Sequence, residues 1–294
     1  MAERPQTAYV TGGASGIGRA LVEMLVDKGI HVFIADRDLP SARSLCQTLN
    51  SNAGSTITHC VEVDVSSYSS QLSAFQQAVS ASKTIDFVFP VAGVGEKAWL
   101  PKADEMEGKG LVEPDLSVLD VDLKGVLWTV GLAVQQMKRQ DKGRDGWRGK
   151  ITCVSSICGL YSISTVPIYT AAKHGVVGFV RSYGELLPSL HSITLNTIAP
   201  NVVRTGISTE EFYERMEKEG LLVPMQGAID AFAHTMESAE SGEVYECGPN
   251  GGFCKREGVG YLDESTKRAC AEIEGRARVL HQWDRLGEER STEW

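Results

Sequence analysis

Short apolar runs alternate with helical repeats along the first ninety residues of this chain, and each run stops at a glycine or an aspartate. Residues 8–10 form the first run, which ends in Thr11-Gly12-Gly13. Ile17, Leu21, Met24 and Leu25 then fall on one face of a helix, and Gly29 follows as its C-cap. Residues 32–35 repeat the apolar run, Asp36 ends it, and a helix is expected over 39–49. The run 57–63 ends at Asp64; Leu72, Phe75 and Val79 keep the helical period; residues 86–91 lead into Ala92-Gly93. Strands separated by helices are joined by crossovers and lie parallel. The expected fold is α/β, a doubly wound parallel sheet with helices on both faces.

The pattern continues. Helices are expected over 116–140 and 168–187, and strands over 151–154, 193–198 and 243–247. Residues 98–114, rich in Lys, Glu and Gly, read as a surface loop. No repeat or linker interrupts this stretch, so residues 1–252 are taken as one domain. Residues 253–294 form a C-terminal extension. Ala269, Ile273 and Leu280 suggest one amphipathic helix there, with a frayed end over 284–294. The extension either covers a neighbouring subunit or closes a pocket.

Composition narrows the function classes. A net charge of −9 argues against a nucleic-acid or anionic-membrane surface, since both need clustered Lys and Arg. The densest apolar stretch, 125–134, is too short to span a bilayer. The first residues, Met-Ala-Glu-Arg-Pro-Gln, lack the apolar core of a secretory signal, so a cytoplasmic location is expected. The seven cysteines are odd in number and form no C-x-x-C pair. They read as free thiols of a reducing compartment, and with six scattered histidines no metal site is expected. Thirty glycines are well above the usual ~7%, which suggests places where backbone must turn or approach a ligand closely.

The turn Thr11-Gly12-Gly13-Ala14-Ser15-Gly16-Ile17-Gly18 is such a place. It lies between a strand and a helix, where free N–H groups and the positive helix end can meet a pyrophosphate. Gly12, Ser15, Gly16, Ile17 and Gly18 are the candidate phosphate residues. Asp36, closing the second strand, can accept hydrogen bonds from both hydroxyls of an adenosine ribose and would repel a 2′-phosphate. That favours NAD over NADP, although Arg37 next door can accept a phosphate. Asp64 and Val65 can meet the adenine edge.

Tyr169 and Lys173 sit one helical turn apart, with Cβ atoms about 5–6 Å from each other. A tyrosine titrates near 10, and a neighbouring ammonium lowers that by about 1–3 units. Tyr169 is thus a candidate general acid–base. Ser156, at the end of the strand 151–154, can hold the reacting oxygen; Ser155 reads as a cap.

These motifs resemble the short-chain dehydrogenase/reductase family over roughly residues 6–250. The likeness rests on Thr11–Gly18, Asp36, Asp64-Val65, Ala92-Gly93, Ser156, Tyr169/Lys173 and Asn196-Thr-Ile-Ala-Pro200. The stretch YTAAKHGVVGFVRS, residues 169–182, is similar to the branch containing NAD-dependent 15-hydroxyprostaglandin dehydrogenases. The resemblance implies a Rossmann-like fold and an NAD(H)-dependent oxidoreductase working on a secondary alcohol or ketone. Ser156 would orient the substrate oxygen, Tyr169 exchange the proton, and Lys173 bind the nicotinamide ribose. Ala92 and Gly93 would line the cofactor; Pro200, Val203 and Thr205 would contact its nicotinamide end. A homodimer or homotetramer is implied too.

Three positions depart from the family. Its Asn-Asn-Ala-Gly is Pro90-Val91-Ala92-Gly93, and its catalytic Asn is matched by Asp122. Asp122 can still hold a water but adds charge beside Lys173. The Pro-Gly pair is Pro200-Asn201, where Asn tolerates positive φ next best. Residues 204–226 read equally as a substrate lid or a helix packed on the domain; as a lid, their apolar side chains favour a hydrophobic substrate. Cys158 either packs or exposes the site to thiol reagents. A non-redox isomerase or cyclase, and a dinucleotide sensor without turnover, are the rival readings.

Overall fold

The computed structural model describes residues 4–107 and 110–281. The chain divides into two compact units after Arg256. In the first, strands β1 (Thr7–Thr11), β2 (His31–Asp36), β3 (Thr58–Glu62), β4 (Phe87–Pro90), β5 (Gly149–Val154), β6 (Ile193–Pro200), β7 (Val244–Cys247) and β8 (Phe253–Lys255) form one sheet. Their order is β3-β2-β1-β4-β5-β6-β7-β8. The first seven run parallel, and β8 pairs antiparallel with β7, Cys247 opposite Phe253. Strand β8 was not expected from sequence: three residues are too few to show a period. It follows the position 252 at which the sequence reading ends the domain.

Successive strand residues face opposite layers, and both layers are dry. Ala8 and Val10 join one core with Val32, Ile34, Phe87 and Phe89. Tyr9 joins the other with Phe33, Ala35 and Val88. Burial on both faces is why the strands read as continuous apolar runs. Helices α1 (Gly16–Asp27), α2 (Leu39–Ala53) and the later α9 (Met225–Glu237) cover the first face, through Leu21, Leu45 and Phe232 among others. On the opposite face lie α3 (Tyr68–Ser82), α6 (Val126–Met137) and α7 (Pro167–His191), with Phe75, Val130 and Val180 in the core. Tyr9 meets Phe75 edge-on at 5.0 Å between ring centroids.

Three expectations need correction. Residues 116–140 are not one helix. A short α5 (Ser117–Leu119) runs into a π-helical turn (Asp120–Gly125) and then α6. The π turn covers only six residues, too few for periodicity to register. The expected loop 98–114 contains one turn of helix, α4 (Ala103–Met106). Helix α7 continues past Pro188, which has no N–H for the carbonyl of Gly184. The Ser241 hydroxyl donates to that carbonyl instead, at 2.7 Å.

Residues 204–226 hold α8 (Glu210–Lys218). In the second unit α10 (Glu264–His281) forms, with Ile273 68% exposed. The expected fraying of 284–294 lies outside the described residues. Among the described residues no helix is long and apolar enough to cross a membrane.

Candidate active site

β1 turns toward β2 on one side and pairs with β4 on the other, so the connections leaving β1 and β4 diverge. A crevice opens at such a switch point, beyond the carboxyl ends of the strands. Here it is a cleft of about 640 Å³. Every site residue named from the sequence lines it: Gly12, Ser15, Gly16, Ile17, Gly18, Asp36, Arg37, Asp64, Val65, Ala92, Gly93, Asp122, Ser156, Tyr169, Lys173, Pro200, Val203 and Thr205. Val94, Gly95, Glu96, Ile157 and Val166 also line it and were not foreseen; Ile207, from the segment 204–226, lines it too.

The glycine turn is built without side-chain space. Gly12 has φ +66°, and a Cβ there would lie 2.7 Å from Ala92 Cα. A Cβ on Gly18 would stand 2.1 Å from the Gly12 carbonyl oxygen. Gly12 N–H donates to Ala35 O at 2.8 Å, and Ala14 N–H to Asp36 Oδ2 at 3.0 Å. Ser15, the N-cap of α1, makes no capping bond with its side chain, and the first turn holds no acidic residue. Backbone donors beside the cleft are therefore left without a side-chain acceptor, and a pyrophosphate fits them.

Asp36 is half-buried and Arg37 exposed. Hydrogen bonds from Ser66 hold the Asp64 carboxyl below its ordinary value; burial opposes this and Arg37 assists. The Thr11 hydroxyl accepts from Val91 N–H at 3.1 Å and Ala92 N–H at 3.3 Å. It thereby supplies a polar tie where the family's asparagines are missing.

At the other end, β5 delivers Ser155 and Ser156. The Ser155 hydroxyl donates to the Lys173 carbonyl at 3.0 Å, so it clamps α7 to the strand rather than serving as a cap. Ser156 Oγ accepts from Cys158 N–H at 3.2 Å and starts a 3₁₀ turn, Ile157–Gly159. The Lys173 ammonium lies 5.2 Å from the centroid of the Tyr169 ring. It donates to Val154 O at 3.3 Å and stands 3.0 Å from Asp122 Oδ2. Asp122 Oδ1 accepts from Val94 N–H at 2.8 Å. Asp122 is 0% exposed and Lys173 3%, so this is a buried ion pair.

The pair changes the electrostatics expected from the tyrosine–lysine spacing. Burial raises the Tyr169 phenol above its ordinary value; Lys173 lowers it, Asp122 raises it, and Ser156 lowers it, with a net rise. Burial works against the Lys173 ammonium, but Asp122 and Tyr169 together hold it above the usual lysine range. The expected lowering of Tyr169 by Lys173 is thus outweighed, first by burial and then by Asp122. Burial also pushes the Cys158 thiol up.

Asn201 does not use positive φ. Among the described residues Lys83 and Ser192 alone do so outside glycine. Asn201 instead takes Val202 N–H on its side-chain oxygen at 2.8 Å and donates its own N–H to Cys247 O at 3.0 Å. The segment 204–226 packs on the domain and also borders the cleft. Tyr213 is 2% exposed and its phenol joins Thr205 Oγ1 at 3.2 Å and Ser208 N at 3.1 Å, while Ile207, Phe212 and Tyr213 line the cleft. All seven cysteines are free. Among the described residues no group of His, Cys, Asp and Glu could hold a metal.

The short chain dehydrogenase profile matches residues 6–215. The short-chain dehydrogenase/reductase ascJ of Acremonium egyptiacum is 37% identical over 205 residues, 69% of this chain and 65% of its own length. This chain therefore spans less than two thirds of that relative. The 15-hydroxyprostaglandin dehydrogenase (NAD+) of Homo sapiens is 31% identical over 216 residues, 73% of this chain and 72% of that protein. The crystal structure of 3-hydroxyacyl-CoA dehydrogenase type-2 from Mycobacterium avium superposes with a TM-score of 0.69 at 25% identity, covering 85% of this chain and 97% of that one. With this sheet, this cleft and these matches, the chain belongs to the short-chain dehydrogenase/reductase family.

Proposed function

We propose that the protein is an NAD(H)-dependent oxidoreductase that interconverts a hydrophobic secondary alcohol and its ketone. The observation that carries this reading is the meeting of a phenol, an ammonium and a strand-end hydroxyl (Tyr169, Lys173, Ser156) in the same cleft as an uncapped glycine turn. NAD, when bound, supplies the hydride acceptor and NADH the donor.

Gly12, Ser15, Gly16, Ile17 and Gly18 hold the pyrophosphate. Asp36 takes the adenosine ribose hydroxyls, with Arg37 at its side, and Asp64 and Val65 flank the adenine. Ala92, Gly93, Pro200, Val203 and Thr205 bound the nicotinamide half. Lys173 binds the second ribose and tunes Tyr169. Ser156 holds the substrate oxygen, and Tyr169 removes or returns its proton. Asp122 fixes Lys173 from behind. Ile157, Val166, Ile207 and Phe212 line the cleft and favour an apolar substrate. Seven free cysteines fit a reducing, cytoplasmic setting, and the family likeness supports a homodimer or homotetramer.

Absorbance of reduced nicotinamide, followed across a panel of alcohols and ketones, tests this. Cofactor turnover is the expected result. Product without cofactor change would instead favour an isomerase or cyclase, and binding without product a sensor.

Cofactor choice has its own test. The Asp36 carboxylate opposes a 2′-phosphate, so NAD should bind at least about tenfold more tightly than NADP, about 1.4 kcal/mol. Asp36→Ala should narrow that ratio. Calorimetric titration of both dinucleotides decides it, and the reverse order would overturn the assignment.

A further inference from the structure

We propose that Glu96 is a positioning residue for Tyr169, holding the backbone of the tyrosine by closing the first turn of α7. This rests on the functional reading above, since it acts through the residue given the proton.

The first turn of a helix has N–H groups without intrahelical partners, normally met by the N-cap side chain. Helix α7 has no such cap. Its N-cap is Val166, which offers no side-chain acceptor, and Pro167 at the first position has no N–H. The first intrahelical bond is Thr170 N–H to Val166 O, at 2.9 Å. Two donors remain, Ile168 and Tyr169. Both go to Glu96, which lies on the connection leaving β4: Ile168 N–H reaches Oε1 at 3.3 Å and Tyr169 N–H reaches Oε2 at 2.6 Å. A carboxylate there also matches the positive end of a 25-residue helix.

The second grip on the same connection gives this cap its catalytic bearing. Two residues before Glu96, Val94 N–H is held by Asp122, which faces Lys173. Residues 94–96 therefore link the group behind Lys173 to the backbone of Tyr169. The strap keeps phenol and ammonium in register where the family's asparagine side chains are absent. The remainder of α7 does not depend on it. Lys173 is clamped by Ser155, and Val176, Val180 and Leu187 are buried in the core. Removing Glu96 loosens the first turn alone.

The test compares wild type, Glu96→Gln and Glu96→Ala. The amide of glutamine keeps one acceptor and loses the charge, so it is the conservative variant. NAD affinity should stay within about twofold in both, because the Glu96 carboxylate bonds the first turn of α7 and not the glycine turn. Turnover should fall about 10- to 100-fold in Glu96→Ala, the scale of a small misplacement of a reacting group, with Glu96→Gln recovering part of it. Exchange of the Ile168 and Tyr169 amides should quicken at least about tenfold in Glu96→Ala. Unchanged amide exchange would overturn the proposal. So would quickened exchange with unchanged turnover, since the cap would then be structural only. A wild type without redox turnover would refute the functional reading instead. The positioning would still be decided by titrating the Tyr169 phenol as the absorbance difference from Tyr169→Phe: a midpoint moved by about half a unit or more in Glu96→Ala supports it, and an unmoved midpoint overturns it.

Discussion

Tyr169→Phe should bind NAD as the wild type does and turn substrate over at least about 10²-fold more slowly, the usual worth of a positioned general acid–base. The substitution removes one oxygen. The ring that lies 5.2 Å from the Lys173 ammonium remains, as do the backbone bonds to Glu96. Fold and cofactor cleft should therefore be intact, and a melting temperature near the wild type's would establish that the loss is chemical. The wild-type pH profile belongs to the same argument. Burial, with Asp122 opposing Lys173, leaves the phenol above its ordinary value. Alcohol oxidation needs the phenolate, whose fraction grows as pH rises toward that value, so its rate should climb with pH. Ketone reduction needs the neutral phenol and should be favoured toward lower pH. Activity persisting in Tyr169→Phe would remove this residue from the chemistry.

Asp122 should show the second large effect, in two variants that separate its two duties. Asp122→Leu strands the Lys173 ammonium, 3% exposed, with Val154 O as its remaining hydrogen-bond acceptor among the described residues. Breaking a buried pair from one side costs about 3–5 kcal/mol, which for a chain of this size lowers the melting temperature by roughly 10 °C. Asp122→Asn keeps one acceptor oxygen where the carboxylate offers Oδ1 to Val94 N–H and Oδ2 to Lys173, and it removes the negative charge. With that charge gone the lysine's field acts more strongly on Tyr169, and the apparent pKa governing alcohol oxidation should fall. The pH dependence of kcat/KM for the two proteins measures this. A profile that stays in place or moves upward would show that Asp122 does not set the charge balance of the site.

The sheet was readable because its physics is local. A strand buried on both faces must be apolar at consecutive positions, and β1, β2 and β4 are. The glycine turn was readable because no side chain fits there, and Tyr169 with Lys173 because a helix brings i and i+4 together. What escaped was long-range. Glu96 meets a helix that begins far along the chain, and nothing around it in sequence marks a cap. The π turn at Asp120–Gly125 carries Asp122, which accepts from Val94 N–H and pairs with Lys173, contacts that periodicity cannot register. The motif spacing suggested that Lys173 lowers the phenol's pKa; the sign depended on burial of the phenol and, after it, on Asp122, and only the fold supplies both. Asn201 was expected to solve a backbone problem, yet its side chain solves a hydrogen-bonding one.

The single antiparallel strand at the end of the sheet has a consequence for solubility. Without it the sheet would finish on β7, offering a row of unsatisfied amides and carbonyls as a template for another molecule's strand. β8 replaces that border with a fringe of three residues that carries Lys255, itself engaged with Glu240 and Glu243. So short and charged a margin is a poor seed for intermolecular strand addition, and the chain can carry a largely apolar parallel interior without inviting assembly at that edge.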